Sequence, residues 1–249
     1  YYADRLNQLP LAIFGIAMGI VLLPSLSKAI KNNDQEMIHT TQNRSLEFCL
    51  LISLPSAAGL YILSEPIIYI LFERGAFLSK DTLYTANVLS MFALGLPAYI
   101  LIKVLVTCFF AREDTKTPLY ISIVSVIVNI ILSLIFIQSM REMGIALATA
   151  ISAWLNAFLL FMFLKIRDHI TLDTRLISHG FKTLICSIVM GCACYFLNLV
   201  FFLNMTMHSA IINVGALIFV LMICKIIYIA MIFMLKVLRI DEIKGYIKK

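Results

Sequence analysis

Seven long apolar segments, separated by short polar connections, occupy most of this sequence of 249 residues. A helix needs roughly 20 apolar residues to cross a bilayer core about 30 Å thick, and every segment meets that length. Each segment is continuously apolar, whereas the strands of a membrane barrel alternate between lipid-facing and lumen-facing residues. The sequence therefore predicts an all-α integral membrane protein with seven transmembrane helices. Their approximate bounds are 6–30, 46–72, 83–110, 117–140, 144–165, 180–203 and 210–238.

Lysine and arginine are distributed unevenly over the connections between these segments. One side carries only Arg5, Arg74, Lys80 and Arg141. The other side carries Lys28, Lys31, Arg44, Arg112, Lys116, Lys165, Arg167, Arg175, Lys182, Lys236, Arg239, Lys244, Lys248 and Lys249. Because cytoplasmic loops accumulate basic residues, we expect the N-terminus outside and the C-terminus in the cytoplasm. We interpret the net charge of +6 as this orientation signal and not as nucleic-acid binding, and the basic tail suits anionic membrane lipids.

The sequence contains no recognised motif for catalysis, nucleotide binding or metal binding. It has no G-x-S-x-G, H-E-x-x-H or P-loop pattern. The six cysteines all fall within apolar segments, where the residue type behaves as a small hydrophobe. Cys192 and Cys194 form a C-x-C pair without a neighbouring histidine or carboxylate. We therefore predict a protein that is not an enzyme and that uses no cofactor and no metal.

Three polar residues at the start of the first segment are the strongest site candidates. Asp4, Arg5 and Gln8 lie three and four residues apart, so they share one side of a helix. A solvated helix end, with Asp4 near the positive end of the helix dipole, is one interpretation. The other is an anion site, because a guanidinium offers phosphate a bidentate fork. The residues alone do not favour one interpretation over the other.

Two lysines lie inside apolar segments, where a charge costs at least a few kcal/mol. Lys103 is about two turns from the cytoplasmic end of its segment, so its long side chain can reach the interface. Lys225 is mid-way along the last segment, and we expect it to face a partner helix, a cavity or a groove. Asn129 and Ser133 share a face of the fourth segment, and hydrogen bonds between helices are the interpretation we favour for them.

Two connections have features of well-formed turns. In the loop Glu73–Phe77, Gly75 is placed to end a helix with a positive φ. In the loop Arg112–Pro118, Thr117 is predicted to cap the next helix and Pro118 to take its first position. We favour loop geometry over direct ligand contact for both connections.

Four stretches carry a resemblance to a known family, in the same order along nearly the whole chain. The chain resembles the C-terminal half of the MurJ (MviN) lipid II flippase family, part of the multidrug/oligosaccharidyl-lipid/polysaccharide exporter superfamily. The stretches are Tyr2-Ala3-Asp4-Arg5-Leu6, the run Leu9–Ser27, Phe72-Glu73-Arg74-Gly75-Ala76-Phe77 and Asp114-Thr115-Lys116-Thr117-Pro118.

The resemblance implies a fourteen-helix exporter fold, of which this chain is helices eight to fourteen. Residues 1–165 would be the C-terminal lobe of the transporter core, and residues 166–249 two additional helices with a basic cytoplasmic tail. The implied activity is alternating-access transport of lipid II across the bacterial inner membrane. The implied partners are lipid II, membrane lipids and the N-terminal half of the same protein.

The resemblance also implies roles for single residues. Arg5 falls on an arginine of the family's central cavity, with Asp4 beside it. The last two helices would form the groove for the polyprenyl tail, close to Lys225. The substrate-binding candidates are Asp4, Arg5, Gln8, Lys103 and Lys225.

Two departures from the family pattern bear on ion coupling. Gln8 stands where some relatives have an acid, which puts a proton-coupling role at that position in doubt. Asn129 and Thr149 match a sodium site of some relatives, but Ser133 replaces a carboxylate of that site. We therefore predict no sodium site in this chain.

Other functions fit parts of the same evidence. An exporter of drugs or polysaccharide-linked lipids from the same superfamily would share the fold, although the Glu73–Phe77 loop argues against it. A helix bundle without transport activity is a second alternative, because the chain does not begin with methionine. An intramembrane enzyme is a third, but it would need a buried acid–base pair in addition to Asp4 and Arg5.

Overall fold

The computed structural model describes residues 1–17, 21–202 and 210–237, and within these ranges the chain is helical with no strand. The predicted all-α class is confirmed. The helices of the described residues are α1 Tyr2–Ala17, α2 Leu23–Lys31, α3 Gln35–Ile62, α4 Ser64–Phe72, α5 Ser79–Phe110, α6 Lys116–Met140, α7 Glu142–Ile166, α8 Thr174–Phe202 and α9 Ala210–Met234.

Six helices of the described part are long and apolar enough to cross a membrane: α3 and α5 to α9. They correspond in order to the last six predicted segments. The segment predicted at 46–72 is divided, because α3 ends at Ile62 and α4 follows after Leu63. The first predicted segment, 6–30, is shared by α1 and α2, with residues 18–20 outside the described ranges. The structure is that of a multi-pass membrane protein.

Helix α5 forms the centre of the bundle. It packs against α1, α3, α4 and α7, and it is the most buried of the six long helices. Small residues on its surface, such as Ala93 and Ala98, allow neighbouring helices to approach closely, which is how membrane helices associate. Helix α6 packs mainly on α7 and leaves most of its apolar side chains exposed, as expected of a lipid-facing helix. Helix α8 packs on α3, and α9 packs on α8.

The two ends of the bundle are distinct. We call the end that carries the α2–α3, α5–α6 and α7–α8 connections the basic end. The opposite end, here the N-terminal end, carries Tyr1, the α4–α5 loop and the α6–α7 turn. At the N-terminal end the Tyr2 ring contacts Phe72 and Phe77. At the basic end Arg112 donates a hydrogen bond to the carbonyl of His169, which joins two connections.

The α6–α7 turn leaves no room for a side chain at Gly144. A Cβ there would lie 2.6 Å from the Phe136 carbonyl oxygen and 2.8 Å from its carbonyl carbon. Both atoms belong to backbone, which cannot rotate away. In the full-length protein we therefore expect Gly144→Ala to lower the free energy of unfolding by about 1–3 kcal/mol. The measurement is thermal or denaturant unfolding in detergent.

Gly59 provides the matched control for that substitution. It lies within α3, and a Cβ at this position would meet nothing within 4 Å. Because alanine is the better helix former by about 1 kcal/mol, Gly59→Ala should leave stability unchanged or raise it. Equal effects of the two substitutions would contradict the close approach at Gly144.

Candidate functional site

The three polar residues at the start of α1 form a hydrogen-bonded chain. Gln8 donates from Nε2 to Asp4 Oδ2 over 2.6 Å. Arg5 donates from Nη1 to Gln8 Oε1 over 3.2 Å. The predicted clustering of Asp4, Arg5 and Gln8 on one side of the helix is therefore present. We call these three residues the polar trio. The Gln8 amide connects an acid to a base that are not themselves bonded.

Arg5 presents its guanidinium at the N-terminal end of the bundle. Its side chain is exposed, and the guanidinium carbon lies 4.9 Å from the centre of the Tyr1 ring. A guanidinium has five N–H donors, and the described hydrogen bonds use one of them. The remaining donors keep the fork geometry that matches two oxygens of a phosphate or carboxylate. The trio can therefore hold an anion at Arg5 while Gln8 restrains the side chain.

An aromatic cluster supports the beginning of α1. The Tyr2 ring centre lies 4.7 Å from that of Phe72 and 5.6 Å from that of Phe77. Next to it, Ala3 is buried in a small apolar core with Ile68 and residues of α5. Two stretches that are distant in sequence, Tyr2–Leu6 and Phe72–Phe77, are thus adjacent in space. The second stretch fixes the position of the helix turn that carries the trio.

The α4–α5 loop is stabilised by hydrogen bonds within the loop itself. Gly75 has a φ of +61°, so the positive φ predicted for it is confirmed. Ser79 donates to Glu73 over 2.7 Å, and the Leu78 amide donates to Asp81 over 2.9 Å. These bonds agree with the interpretation of the loop as a structural turn.

Lys103 and Lys225 are separate from the trio. Lys103 is exposed on α5 about two turns from the basic end, so trio and lysine occupy different ends of the helix bundle. Lys225 lies mid-way along α9 and is exposed, while Cys224 and Tyr228 of the same helix are buried. Neither lysine joins the trio through a described hydrogen bond or ion pair.

Asn129 connects α6 to α7. Its Nδ2 donates to Thr149 Oγ1 over 3.2 Å and to Ser152 Oγ over 3.1 Å. The interhelical hydrogen bonds predicted for Asn129 are therefore present, and Ser152 is a partner that the sequence did not indicate. Ser133 has a buried hydroxyl without a partner among the described residues, so the hydrogen bond between helices predicted for it is wrong. The donors gathered here are an amide and hydroxyls, without a carboxylate.

The basic end differs from the prediction at the start of α6. This helix begins at Lys116, so the predicted cap at Thr117 and first position at Pro118 are wrong. The side chain of Asp114 caps the helix instead, accepting from the Thr117 amide over 3.0 Å and from the Thr117 hydroxyl over 2.7 Å. Arg167 donates to the same carboxylate over 2.6 Å. Burial opposes ionisation of Asp114, but these three donors outweigh it and hold its pKa at about 2.

Hydrogen bonds hold the connection between α7 and α8 to α3 and to the residues just after α5. Asn43 of α3 donates to the carbonyl of Thr171 over 2.8 Å and accepts from the Asp173 amide over 3.2 Å. Arg112 donates to the carbonyl of His169 over 3.0 Å. The connection is therefore an ordered part of the bundle, held by side chains from α3 and from the residues just after α5.

His169 makes the stability of this connection sensitive to acid. Burial, and next to it the positive charges of Arg112 and Arg167, lower the pKa of His169 below its ordinary value of 6.5. As the pH falls below 6.5, His169 therefore takes up a proton in the unfolded chain before it does so in the folded protein. This lowers the free energy of unfolding. In the full-length protein we expect acidification from pH 7.5 to pH 5 to lower the unfolding temperature, with a smaller decrease in His169→Asn. An identical pH dependence of the two proteins would contradict this prediction.

A cluster of charged residues joins α3 to α8 at the basic end. The Glu47 carboxylate contacts Arg44 and His179, and it lies 3.7 Å from the Arg175 Nε. Arg44 also pairs with Asp173. We call these residues, Arg44, Glu47, Asp173, Arg175 and His179, the α3–α8 charge cluster. In the sequence, the feature that could have indicated this cluster was Glu47, an acid inside a predicted apolar segment.

The described geometry defines a class of protein: a multi-pass membrane protein with a polar, charged site at one end of a bundle of apolar helices. Residues 1–216 match the family model described as "Lipid II flippase MurJ". Because this match covers most of the sequence, the chain belongs to that family.

Named relatives agree with this family. "Probable lipid II flippase MurJ" of Rhizobium tropici is 45% identical over 190 residues, which are 76% of this chain and 36% of the relative. The proteins of the same description from Rhizobium meliloti (strain 1021) and Rickettsia prowazekii (strain Madrid E) are 43% and 42% identical. They are matched over 78% and 76% of this chain and over 36% and 38% of their own lengths.

A solved structure supports the fold. "Lipid II flippase MurJ, inward closed conformation" matches with a TM-score of 0.70 and 30% sequence identity, over 91% of this chain and 46% of that chain. The chain thus spans less than half the length of the proteins that it matches.

Proposed function

We propose that this chain is the C-terminal part of a lipid II flippase, which moves the lipid-linked peptidoglycan precursor from the inner to the outer leaflet by alternating access. The observation that carries this proposal is the family match over residues 1–216. On this proposal the chain is a transporter component for cell-wall synthesis and not an enzyme.

The chemistry of the polar trio suits such a substrate. Lipid II carries a pyrophosphate, and an arginine fork binds phosphate oxygens in a bidentate manner. Arg5 would supply this fork, and the positive end of the α1 dipole would add to the attraction. Gln8 would orient Arg5 through its amide oxygen, while its amide nitrogen keeps Asp4 hydrogen-bonded. Asp4 would limit how tightly the anion is held, which favours release on the far side of the membrane.

The remaining assignments belong to the same proposal. Residues 1–165 would form the C-terminal lobe of the core, and residues 166–249 the two additional helices and the basic tail. The N-terminal half of the same protein would complete the cavity, with Lys103 and Lys225 as further contacts to substrate or membrane lipids. The protein would lie in the bacterial inner membrane, with the polar trio at the outward end and the C-terminus in the cytoplasm.

The test is replacement of the essential flippase in a bacterium depleted of its own. The full-length gene that contains this chain should restore growth and place lipid II in the outer leaflet, detected by a probe that cannot cross the membrane. A vector without the gene provides the control. A full-length protein that reaches the membrane but exports drugs or polysaccharide-linked lipids, with lipid II left inside, would contradict the proposal.

A further inference from the structure

A pocket at the N-terminal end of the bundle lies beside the polar trio and contains none of its residues. It has a volume of about 420 Å³ and lies between the start of α1 and the α4–α5 loop. That volume is within the range of about 300–1,000 Å³ that is typical of small-molecule sites. The residues that line it are Tyr2, Phe72, Arg74, Ala76, Phe77 and Asp81. We call it the loop pocket.

Aromatic rings form one side of the loop pocket. The Tyr2 ring packs on Phe72 and Phe77, whose own ring centres are 6.2 Å apart. Tyr2 nevertheless remains 44% exposed, so part of its side chain is open to a ligand. An aromatic ring offers a broad apolar surface, which suits the face of a sugar ring that carries only C–H groups.

Arg74 and Asp81 form the polar side of the loop pocket. Arg74 donates from Nη2 to the Leu71 carbonyl over 2.8 Å, and the Leu78 amide donates to Asp81 Oδ2 over 2.9 Å. These backbone bonds hold both side chains in place. A guanidinium has five N–H donors and a carboxylate accepts about four hydrogen bonds, so both groups keep most of their capacity. No ion pair of the described residues includes either of them.

This combination of groups selects the chemistry of a ligand. An anion would be repelled by Asp81 and a cation by Arg74, so a neutral ligand fits best. Such a ligand must accept hydrogen bonds from a base, donate hydrogen bonds to an acid and present an apolar face to the Tyr2 ring. A sugar meets all three conditions, because its hydroxyls both donate and accept and its ring has a C–H face.

Tyr1 joins the loop pocket to the polar trio. Its ring centre lies 4.9 Å from the guanidinium carbon of Arg5 and 5.8 Å from the Tyr2 ring centre. The proposed phosphate site at Arg5 and the aromatic side of the pocket are therefore neighbours, with one ring between them. In lipid II the sugar rings are attached directly to the pyrophosphate, so a phosphate held at Arg5 would bring the sugars to the pocket.

We propose that the loop pocket binds the sugar part of the lipid-linked substrate. Tyr2 packs on a sugar ring, Arg74 donates to the sugar oxygens and Asp81 accepts from the sugar hydroxyls. This inference rests on the proposed function and deepens it, because it assigns the pyrophosphate and the sugar to two neighbouring sites.

The test compares two ligands of the full-length protein in nanodiscs. One is lipid II, and the other is undecaprenyl pyrophosphate, which has the pyrophosphate and the tail but no sugar. We expect Arg74→Ala to weaken lipid II binding by roughly tenfold, because hydrogen bonds from a charged group to the sugar are lost. Binding of undecaprenyl pyrophosphate should change by less than about twofold, because the separate site at Arg5 is intact.

Two further variants support the comparison. Lys80→Ala removes an exposed cation that lies over the Tyr84 ring, outside the pocket, and should leave the binding of both ligands unchanged. Asp81→Asn keeps an acceptor for the Leu78 amide but removes the charge, and it should weaken the binding of lipid II alone by roughly threefold. This variant carries the test if Arg74→Ala fails to accumulate in the membrane.

An Arg5→Ala arm separates failure of this inference from failure of the proposed function. Equal weakening of both ligands by Arg74→Ala would overturn the inference, because Arg74 would then act on the pyrophosphate, and unchanged lipid II binding would overturn it too. In either case the proposed function stands if Arg5→Ala weakens the binding of both ligands. A wild-type protein that binds neither ligand would contradict the proposed function, and the inference falls with it.

Discussion

Replacing Arg5 with alanine in the full-length protein should lower lipid II transport by about a hundredfold, because two charge-assisted hydrogen bonds to the pyrophosphate are lost. The protein itself should still fold. Arg5 is exposed, and its described contacts are one hydrogen bond to Gln8 and the Tyr1 ring, so little packing depends on it. Transport is measured as lipid II reaching the outer leaflet of proteoliposomes, and membrane level by immunoblot.

Two further variants make the Arg5 result specific. Arg5→Lys keeps the positive charge but presents a single ammonium in place of the fork, so transport should fall by only about tenfold. Arg141→Ala removes an arginine from the α6–α7 turn at the same end of the bundle, outside the trio, and should leave transport unchanged. Normal transport by Arg5→Ala at normal membrane levels would show that the headgroup is bound elsewhere.

The positions of the long helices could be predicted because membrane helices are encoded by continuous apolar runs. The trio could also be predicted, because residues three and four apart meet on any helix whatever lies around it. For the same reason Gly75 was recognisable, since a positive φ at a helix end is a local property of glycine. These features depend on residues close together in the chain.

The ends of the helices could be predicted less well, because an apolar run marks the membrane-spanning part of a helix and not the whole helix. Helix α3 begins at Gln35, eleven residues before the apolar segment predicted at 46–72. Asp34 caps it by accepting from the Met37 amide over 2.9 Å, so a polar stretch extends the helix beyond the segment. At α6 a threonine and a proline suggested the cap, but the capping side chain is that of Asp114, which lies three residues before Thr117 and accepts from its amide.

Long-range polar partners could not be predicted from the sequence. Asn43 bonds to Thr171 and Asp173, and Arg112 bonds to the carbonyl of His169. A side-chain amide or guanidinium can pair with many groups, so residue type does not specify the partner. These pairs become visible only when α3, α5 and the α7–α8 connection have been brought together by apolar packing.

Replacing Glu47 with alanine should have the largest effect on stability. The Glu47 side chain is only 11% exposed, and its carboxylate is shared by Arg44, Arg175 and His179. Its removal takes away the carboxylate that these three side chains share at a partly buried interface, although Arg44 keeps its pair with Asp173. We therefore expect a loss of about 2–4 kcal/mol in the free energy of unfolding, below the full value for a deeply buried pair because Arg175 is 40% exposed.

Unfolding should begin with the separation of α8 from α3, because the Glu47 carboxylate contacts side chains of both helices, Arg44 of α3 and His179 of α8. Amide hydrogen exchange should increase first in the opening turns of α8, while α5 stays protected. Glu36→Ala in the exposed first turn of α3 is the matched control and should change stability by less than about 0.5 kcal/mol. If Glu47→Ala is no more destabilising than Glu36→Ala, the α3–α8 charge cluster behaves as solvated surface ion pairs, and α8 is held by apolar packing alone.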